Sequence, residues 1–299
     1  MGNLLTSLNE NPKVFVKYNW KRDLSDKRDI YIKFNNESEQ ETVENYDIPQ
    51  IDLRKKFPPV YDQGKLGSCT ANALAGIFEY NECQKEEDYD IPSRLFIYYN
   101  ERAYEGTTQS DSGASLRDGI KSLNKIGVCP EENWPYDISD FCIRPSQECY
   151  DIAKRYKALA YNRVQQTLDC LKRCLIENYP IACGIMIYTS FESEDVSNNG
   201  QVKLPESHES LLGGHAIILV GYDDEKENFI FRNSWGQTWG DNGYGYIPYS
   251  YITDKELASD FWVITKELLH NSDSESESES DSNINSESGS ESEKKNDDE

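Results

Sequence analysis

A cysteine in a glycine-rich loop is the first residue of this chain whose type and setting suit covalent chemistry. Cys69 follows Gly64 and Gly67 and precedes an alanine-rich apolar run, residues 71–80, that predicts a buried helix. Unpaired amides and the dipole at a helix N-terminus favour a thiolate over a thiol. Cys69 is therefore a candidate nucleophile, although a lone cysteine in a turn is more often a small buried hydrophobe.

Two later stretches supply a base and an orienting amide. His215 heads a continuous apolar run, and Asn233 opens an Asn-Ser-Trp-Gly run directly after another apolar segment. The other two histidines lie in polar segments, which favours His215 as the base. Acyl transfer from a peptide needs a nucleophile, a proton carrier, a group that orients the carrier and donors for the developing oxyanion. Gln63, six residues before Cys69, is a candidate for the last of these.

The order and spacing of these residues resemble the papain-like cysteine peptidases. His215 lies 146 residues after Cys69, within the spacing typical of papain relatives. The resemblance implies that Cys69 is the nucleophile, that His215 carries the proton and that Asn233 orients the imidazole. It also implies an oxyanion hole made by the Gln63 side chain and the Cys69 backbone N–H, with Trp235 supporting the His–Asn contact. For Gln63, a role in the turn is the alternative.

Two positions depart from the usual pattern of this family. Thr70 follows the nucleophile where the family normally has a bulky aromatic residue. The family's pair of glycines, whose open backbone pairs with the substrate chain, is here Gly113 followed by Ala114. The resemblance therefore assigns substrate binding to Gly113, while Thr70 leaves the packing behind the nucleophile to be explained.

The cysteines indicate a compartment. Secreted relatives usually have a cysteine three residues before the nucleophile, bridged to one in the glycine-pair loop. Here the first position is Leu66, and residues 110–114 contain no cysteine. We therefore expect free thiols in a reducing compartment. A zinc site is disfavoured because no CxxC pair supports it, and we expect no metal or other cofactor; the four cysteines considered for zinc are Cys142, Cys149, Cys170 and Cys174.

The resemblance implies an α+β, two-lobe fold with the active-site cleft between a helical lobe and a β-barrel-like lobe. Residues 47–270 are the expected peptidase domain, with the helical lobe at about 60–156 and the β lobe at about 157–270. Apolar spacing predicts further helices at residues 91–102, after the 110–115 loop and at 167–178. Short apolar runs bounded by turns predict strands in the second half of the chain.

Residues 1–46 are predicted to be an N-terminal segment that acts as a short propeptide. The usual inhibitory leader of the family is long and helical, whereas this segment resembles the short ones of signal-less relatives in bacteria and large DNA viruses. An aromatic and basic patch surrounds Trp20. We hypothesise that Trp20 and its neighbours pack near the cleft and restrict access; the alternative is an extended strap that only adds contacts.

The first residues match a lipidation pattern. Gly2 follows the initiator methionine and Thr6 stands in the required place for N-myristoylation. A single acyl chain gives only weak, reversible membrane contact. No apolar stretch reaches the length of a signal peptide core or a membrane helix, so we expect an intracellular, cytoplasmic protein without a transmembrane segment. A virion location is a further expectation if the source is viral, and it comes from the resemblance alone.

The charge of the chain is strongly acidic. A formal net charge of −23 argues against nucleic-acid binding. Residues 271–299 repeat serine with aspartate and glutamate, and this composition predicts a disordered acidic tail. A solubilising role and a docking role for basic partners are both compatible with the tail.

The sequence thus predicts a thiol-dependent endopeptidase that cleaves proteins or peptides through an acyl-enzyme on Cys69. One alternative is another thiol acyl transfer, of the isopeptidase or transglutaminase-like kind. The other is a catalytically silent papain-fold binding protein.

Overall fold

The computed structural model describes residues 18–34, 48–85 and 89–268, with side chains described up to residue 266. Gly2, Thr6 and the tail at 271–299 lie outside the described residues, as do residues 1–17 and 35–47 of the N-terminal part. Myristoylation, the acidic tail and the location inside a cell or virion therefore stay predictions of the sequence.

Four helices form the first half of the described chain. Three of them have a serine N-cap whose hydroxyl accepts a backbone N–H, as at Ser93, Ser115 and Ser146. The first helix is buried on nearly every side, which makes it the central element of the helical part. The helices are α1 Cys69–Cys83, α2 Arg94–Glu105, α3 Leu116–Lys125 and α4 Gln147–Ala153.

The second half forms an antiparallel sheet. The strand order is β2-β7-β3-β4-β5-β6, and β1 pairs with β4 beside this path. The strands are β1 Gln50–Asp52, β2 Lys157–Arg163, β3 Ile181–Tyr188, β4 Leu211–Asp223, β5 Asn228–Arg232, β6 Tyr244–Pro248 and β7 Ala258–Leu268. Three short helices accompany the sheet, namely α5 Leu168–Ile176, α6 Glu194–Asn199 and α7 Tyr249–Thr253.

The contact between α1 and β4 joins the helices to the sheet. A Cβ at Gly76 would lie 2.8 Å from the Ile218 side chain, so a residue without a side chain permits this close approach. Cys69 is the first residue of α1, and His215 lies within β4. The packing of one helix on one strand therefore brings the nucleophile candidate to the base candidate.

The predicted secondary structure is confirmed at the elements that matter for the site. The helix after Cys69, the two helices that follow it and α5 all form, and each apolar run in the second half is a strand. The α+β class is confirmed as well. Helices α1–α4 precede residue 157, but the lobe and domain boundaries given above stay predictions of the sequence.

Candidate active site

The sulfur of Cys69 lies among backbone amides and is fully buried. Burial raises the pKa of the thiol to about 11, and the Glu101 carboxyl adds to this rise. The backbone N–H groups of Ala216, Asn19 and Thr70 lower the pKa of this thiol and so oppose the rise. Only the Thr70 amide belongs to the first turn of α1, and desolvation outweighs all three amides while the site is covered.

His215 and Asn233 form a buried hydrogen-bonded pair. His215 Nε2 lies 2.8 Å from Asn233 Oδ1, which also accepts the Ser234 backbone N–H at 2.8 Å. Because this oxygen only accepts, His215 carries its proton on Nε2 and leaves Nδ1 as the acceptor. Among the described residues Nδ1 has no hydrogen-bond partner. Burial lowers the pKa of His215 to about 4, so the ring is a neutral base.

Aromatic rings enclose this pair. The Trp235 ring lies 4.9 Å from the His215 ring, centroid to centroid. Trp239 and Phe191 pack edge-on against Trp235 at 5.4 and 5.6 Å. Trp235 therefore lies between the His215 ring and Trp239.

Gln63 is tied to the residue after Asn233. Its Oε1 accepts the Ser234 hydroxyl at 2.7 Å, and its Nε2 donates to the Leu66 carbonyl at 2.9 Å. An amide nitrogen carries two hydrogens, so the bond to Leu66 uses one of them. Ser234 is a site residue that the sequence reasoning missed as such, although the Asn-Ser-Trp-Gly run contained it.

Residues 18–21 lie across these groups, and we call them the covering stretch. The Trp20 N–H donates to the Gly214 carbonyl at 2.9 Å, and the Lys21 N–H donates to the Ala114 carbonyl at 3.0 Å. The covering stretch thus pairs with both walls of the site as an added strand would. It leaves Cys69 and His215 with no exposed surface.

Glycines allow the covering stretch to lie against the walls. A Cβ at Gly184 would lie 1.9 Å from the Trp20 ring, and one at Gly113 would lie 1.8 Å from the Asn19 carbonyl oxygen. The Gly113 N–H bonds to the Tyr98 hydroxyl at 3.2 Å. The covering stretch therefore pairs with the backbone of Ala114, while Gly113 allows its close approach, and substrate binding at Gly113 stays a prediction.

A second contact holds the N-terminal segment a few residues further on. The buried Asp23 carboxylate accepts three hydrogen bonds, from the Arg117 backbone N–H at 3.1 Å and from the Arg163 and Trp262 side chains at 2.9 Å each. Asp260 accepts the Asp23 N–H at 2.7 Å and pairs with Arg163 at 2.8 Å. We call these five residues the Asp23 anchor.

The pKa of Asp260 shows how closely the charged groups of the Asp23 anchor interact. Burial, and then the neighbouring Asp23 carboxylate, raise the pKa of Asp260 above its ordinary value. Asp29 adds further ion pairs to Arg117 at 2.6 Å and to Arg163 at 3.3 Å. No sequence signal marked this cluster, because its members are far apart in the chain.

The described part of the chain contains neither a metal-binding cluster nor a membrane-spanning helix. Within residues 18–34, 48–85 and 89–268, no three or more histidine, cysteine or acidic side chains are grouped to hold a metal ion. All eight cysteines lie in these ranges and are unpaired. None of the helices described there has the length and apolar character needed to cross a membrane.

Comparisons with known proteins place this site in a family. Residues 48–261 match the family described as papain family cysteine protease. The chain is 42% identical over 275 residues to an uncharacterised peptidase C1-like protein of Acanthamoeba polyphaga mimivirus, covering 83% of this chain and 87% of that protein. It is 43% identical to the crystal structure of xylellain, a cysteine protease from Xylella fastidiosa, with a TM-score of 0.75 over 83% of this chain and 95% of that one.

A more distant structure agrees in fold. Procathepsin B from Trypanosoma congolense, 17% identical, has a TM-score of 0.59 and covers 74% of this chain and 77% of its own. The two-lobe architecture expected from the sequence is confirmed by these structures. The chain belongs to the papain family of cysteine proteases and is a cysteine-type peptidase.

Proposed function

We propose that the chain is an endopeptidase that cleaves peptide bonds through an acyl-enzyme on Cys69. The observation that carries this proposal is the buried His215–Asn233 pair, whose free Nδ1 is an unprotonated acceptor. The N–H of the next residue, Ala216, lowers the pKa of the Cys69 thiol, which supports a close approach of the base and the nucleophile where α1 packs on β4. A nucleophile, a base and an orienter of the base are together the requirement for thiol acyl transfer.

The steps follow from these positions. The Cys69 thiol gives its proton to His215 Nδ1, and the sulfur forms a bond to the substrate carbonyl carbon. The developing oxyanion would accept hydrogen bonds from the second N–H of Gln63 Nε2 and from the Cys69 backbone. His215 then gives the proton to the leaving nitrogen as the C–N bond breaks. Water, deprotonated by His215, attacks the thioester and releases the acid and the thiol.

We also propose that the N-terminal segment inhibits this reaction. Cys69 has no exposed surface beneath the covering stretch, and a substrate cannot reach a buried sulfur. The raised pKa of the thiol and the lowered pKa of His215 share burial as their first cause. Removal of the covering stretch would restore solvent to both groups and allow proton transfer between them.

Labelling with an epoxysuccinyl inhibitor tests both proposals. We expect the full chain to label slowly at Cys69, a Trp20→Ala chain to label much faster, and Cys69→Ala to remain unlabelled at this position. A survey of products with peptides, isopeptides and amine acceptors then identifies the reaction. If Trp20→Ala neither labels nor cleaves under reducing conditions, the peptidase proposal fails in favour of a silent binding protein. If isopeptide or amine products dominate, the endopeptidase reaction is wrong.

A further inference from the structure

A buried acid lies directly behind the nucleophile. Glu101 is in α2 and has no exposed surface. Its Oε1 accepts the hydroxyl of Thr70, the residue after Cys69, at 2.6 Å. Its Oε2 is also buried and has no hydrogen-bond partner among the described residues. The mechanism above does not use this carboxyl.

In the part of the chain that the structure describes, no cation forms an ion pair with Glu101. Arg102 follows it in α2, but the Arg102 guanidinium donates to backbone carbonyls, those of Tyr98, Thr108, Ser110 and Phe141. Glu105 in α2 and Asp118 in α3 are acidic and disfavour a further negative charge. Lys21 from the covering stretch pairs with Glu105 instead. Burial raises the pKa of Glu101 to about 8, although the Thr70 bond and Arg102 oppose the rise.

The space around this carboxyl leaves no room for a side chain on the neighbouring helix α3. A Cβ at Gly119 in α3 would lie 2.7 Å from Glu101 Oε2 and 2.4 Å from the Leu74 side chain in α1. Glycine at this position lets three helices meet around the acid. The family normally has a bulky aromatic residue at the position of Thr70. Here the smaller Thr70 contacts the Glu101 carboxyl, and Gly119 makes room for that carboxyl.

We propose that Glu101 is a positioning residue for Cys69: as a neutral acid it fixes the first turn of α1 through Thr70, and on losing its proton it disfavours the thiolate. This inference rests on the proposed role of Cys69. A buried carboxylate with one unpartnered oxygen and no paired cation is costly, so the neutral form predominates at physiological pH. The Glu101 charge, once formed, raises the pKa of the Cys69 thiol.

The matched variant is Glu101→Gln, which keeps the shape and removes the titration. Iodoacetamide alkylation of Cys69 in the full chain is measured by peptide mass from pH 6 to pH 10, with each variant scaled to its own rate at pH 6. The covering stretch is the same in both chains, so its opening cancels in their ratio. We expect the Glu101→Gln rate to exceed the wild-type rate by about three- to tenfold at pH 10, since a nearby unit charge acts through a partly screened interior.

Carbon-13 NMR of the glutamate carboxyl groups gives a readout that is independent of alkylation. One signal, absent from Glu101→Gln, should titrate near pH 8. The Thr70 hydroxyl stabilises the ionised form of Glu101, so Thr70→Val, which removes this hydrogen bond, should raise the midpoint. Thr70→Ser keeps the hydroxyl and should leave the midpoint unchanged. A Glu101 midpoint in the ordinary carboxyl range, or an alkylation ratio that does not change with pH, would overturn the inference.

Failure of the proposed function is distinguishable from failure of this inference. If no variant cleaves a peptide while the Glu101 midpoint and the alkylation ratio behave as expected, the peptidase mechanism is wrong. The proposed effect of Glu101 on the Cys69 thiol would still hold. If peptides are cleaved but the ratio stays constant with pH, the mechanism stands and Glu101 is only a buried structural acid.

Discussion

The N-terminal segment meets the body at two places that are held in different ways. The covering stretch uses backbone hydrogen bonds and close packing on glycines, and the groups it buries, Cys69 and His215, are neutral. The Asp23 anchor instead buries a carboxylate between two arginines. Trp20 even loses the hydrogen bond of its indole N–H, which has no partner among the described residues. The cover therefore depends on packing and backbone pairing, whereas the anchor depends on keeping a buried carboxylate paired with its cations.

The two places also respond to acid with opposite signs. His215 has a pKa lowered by burial from 6.5 to about 4, so acid stabilises any state in which it is uncovered or unfolded. Asp260 has a raised pKa, so it binds a proton more readily in the folded, covered state, and acid stabilises that state. The two effects oppose each other as the pH falls below about 6. Acid therefore neither simply releases the N-terminal segment nor simply stabilises its contact with the body.

The largest expected effect comes from Asp23→Asn. The substitution leaves Arg163 and Asp260 without the carboxylate that completes their cluster, and breaking a buried ion pair in this way costs about 3 kcal/mol. We expect the whole segment to loosen and epoxysuccinyl labelling of Cys69 to accelerate by about a hundredfold.

Asp26→Asn is the matched control for that substitution. Asp26 lies in the same segment but pairs with the exposed Arg28. Its labelling rate should equal that of the wild type. Equal rates for Asp23→Asn and the wild type would mean that the anchor does not hold the segment, and the contrast between the two contacts would fail.

Gly184→Ala should act on the cover alone. Its Cβ would lie 1.9 Å from the Trp20 ring, so the ring must move, at a cost of about 1–3 kcal/mol. Labelling of Cys69 should rise roughly tenfold. The three atoms nearest to this Cβ all belong to the Trp20 indole, so Gly184→Ala should add little in a Trp20→Ala background. Additive effects in that double variant would show that Gly184 matters for a reason other than the cover.

Asp260→Asn separates the two responses to acid. In the wild type, the loss of folding free energy as the pH falls from 6.5 to 4 through His215 is offset by the gain at Asp260. Without that carboxyl, only the His215 loss remains. We expect urea unfolding at pH 7 and pH 4.5 to show a decrease larger by about 1 kcal/mol or more in Asp260→Asn than in the wild type. An identical pH dependence would remove Asp260 from the balance.

The residues of the candidate active site beneath the cover could be singled out from the sequence, whereas those of the Asp23 anchor could not. Cys69, His215 and Asn233 each stand in or beside a local run whose composition predicts a helix or a strand. Asp23, by contrast, stands in a polar stretch, and its partners Arg163 and Trp262 lie in β2 and β7, far along the chain. Pairing of that kind depends on the tertiary register of two strands, which no local pattern encodes. The same holds for Thr70 and Glu101, where the sequence showed only that an aromatic residue was missing.

The smallest expected effect is that of Lys21→Ala, at the end of the covering stretch nearest to the Asp23 anchor. Lys21 pairs with Glu105 of α2, but its side chain is 42% exposed, so the pair is worth no more than about 1 kcal/mol. Its backbone N–H, which bonds to Ala114, is retained in the variant. Labelling of Cys69 should therefore rise less than about fivefold, and the rise should shrink in high salt because the pair is screened there. An increase as large as that of Asp23→Asn would mean that the Lys21–Glu105 ion pair, within the covering stretch, is the main charged contact, and the distinction between a cover held by neutral groups and a charged anchor would fail.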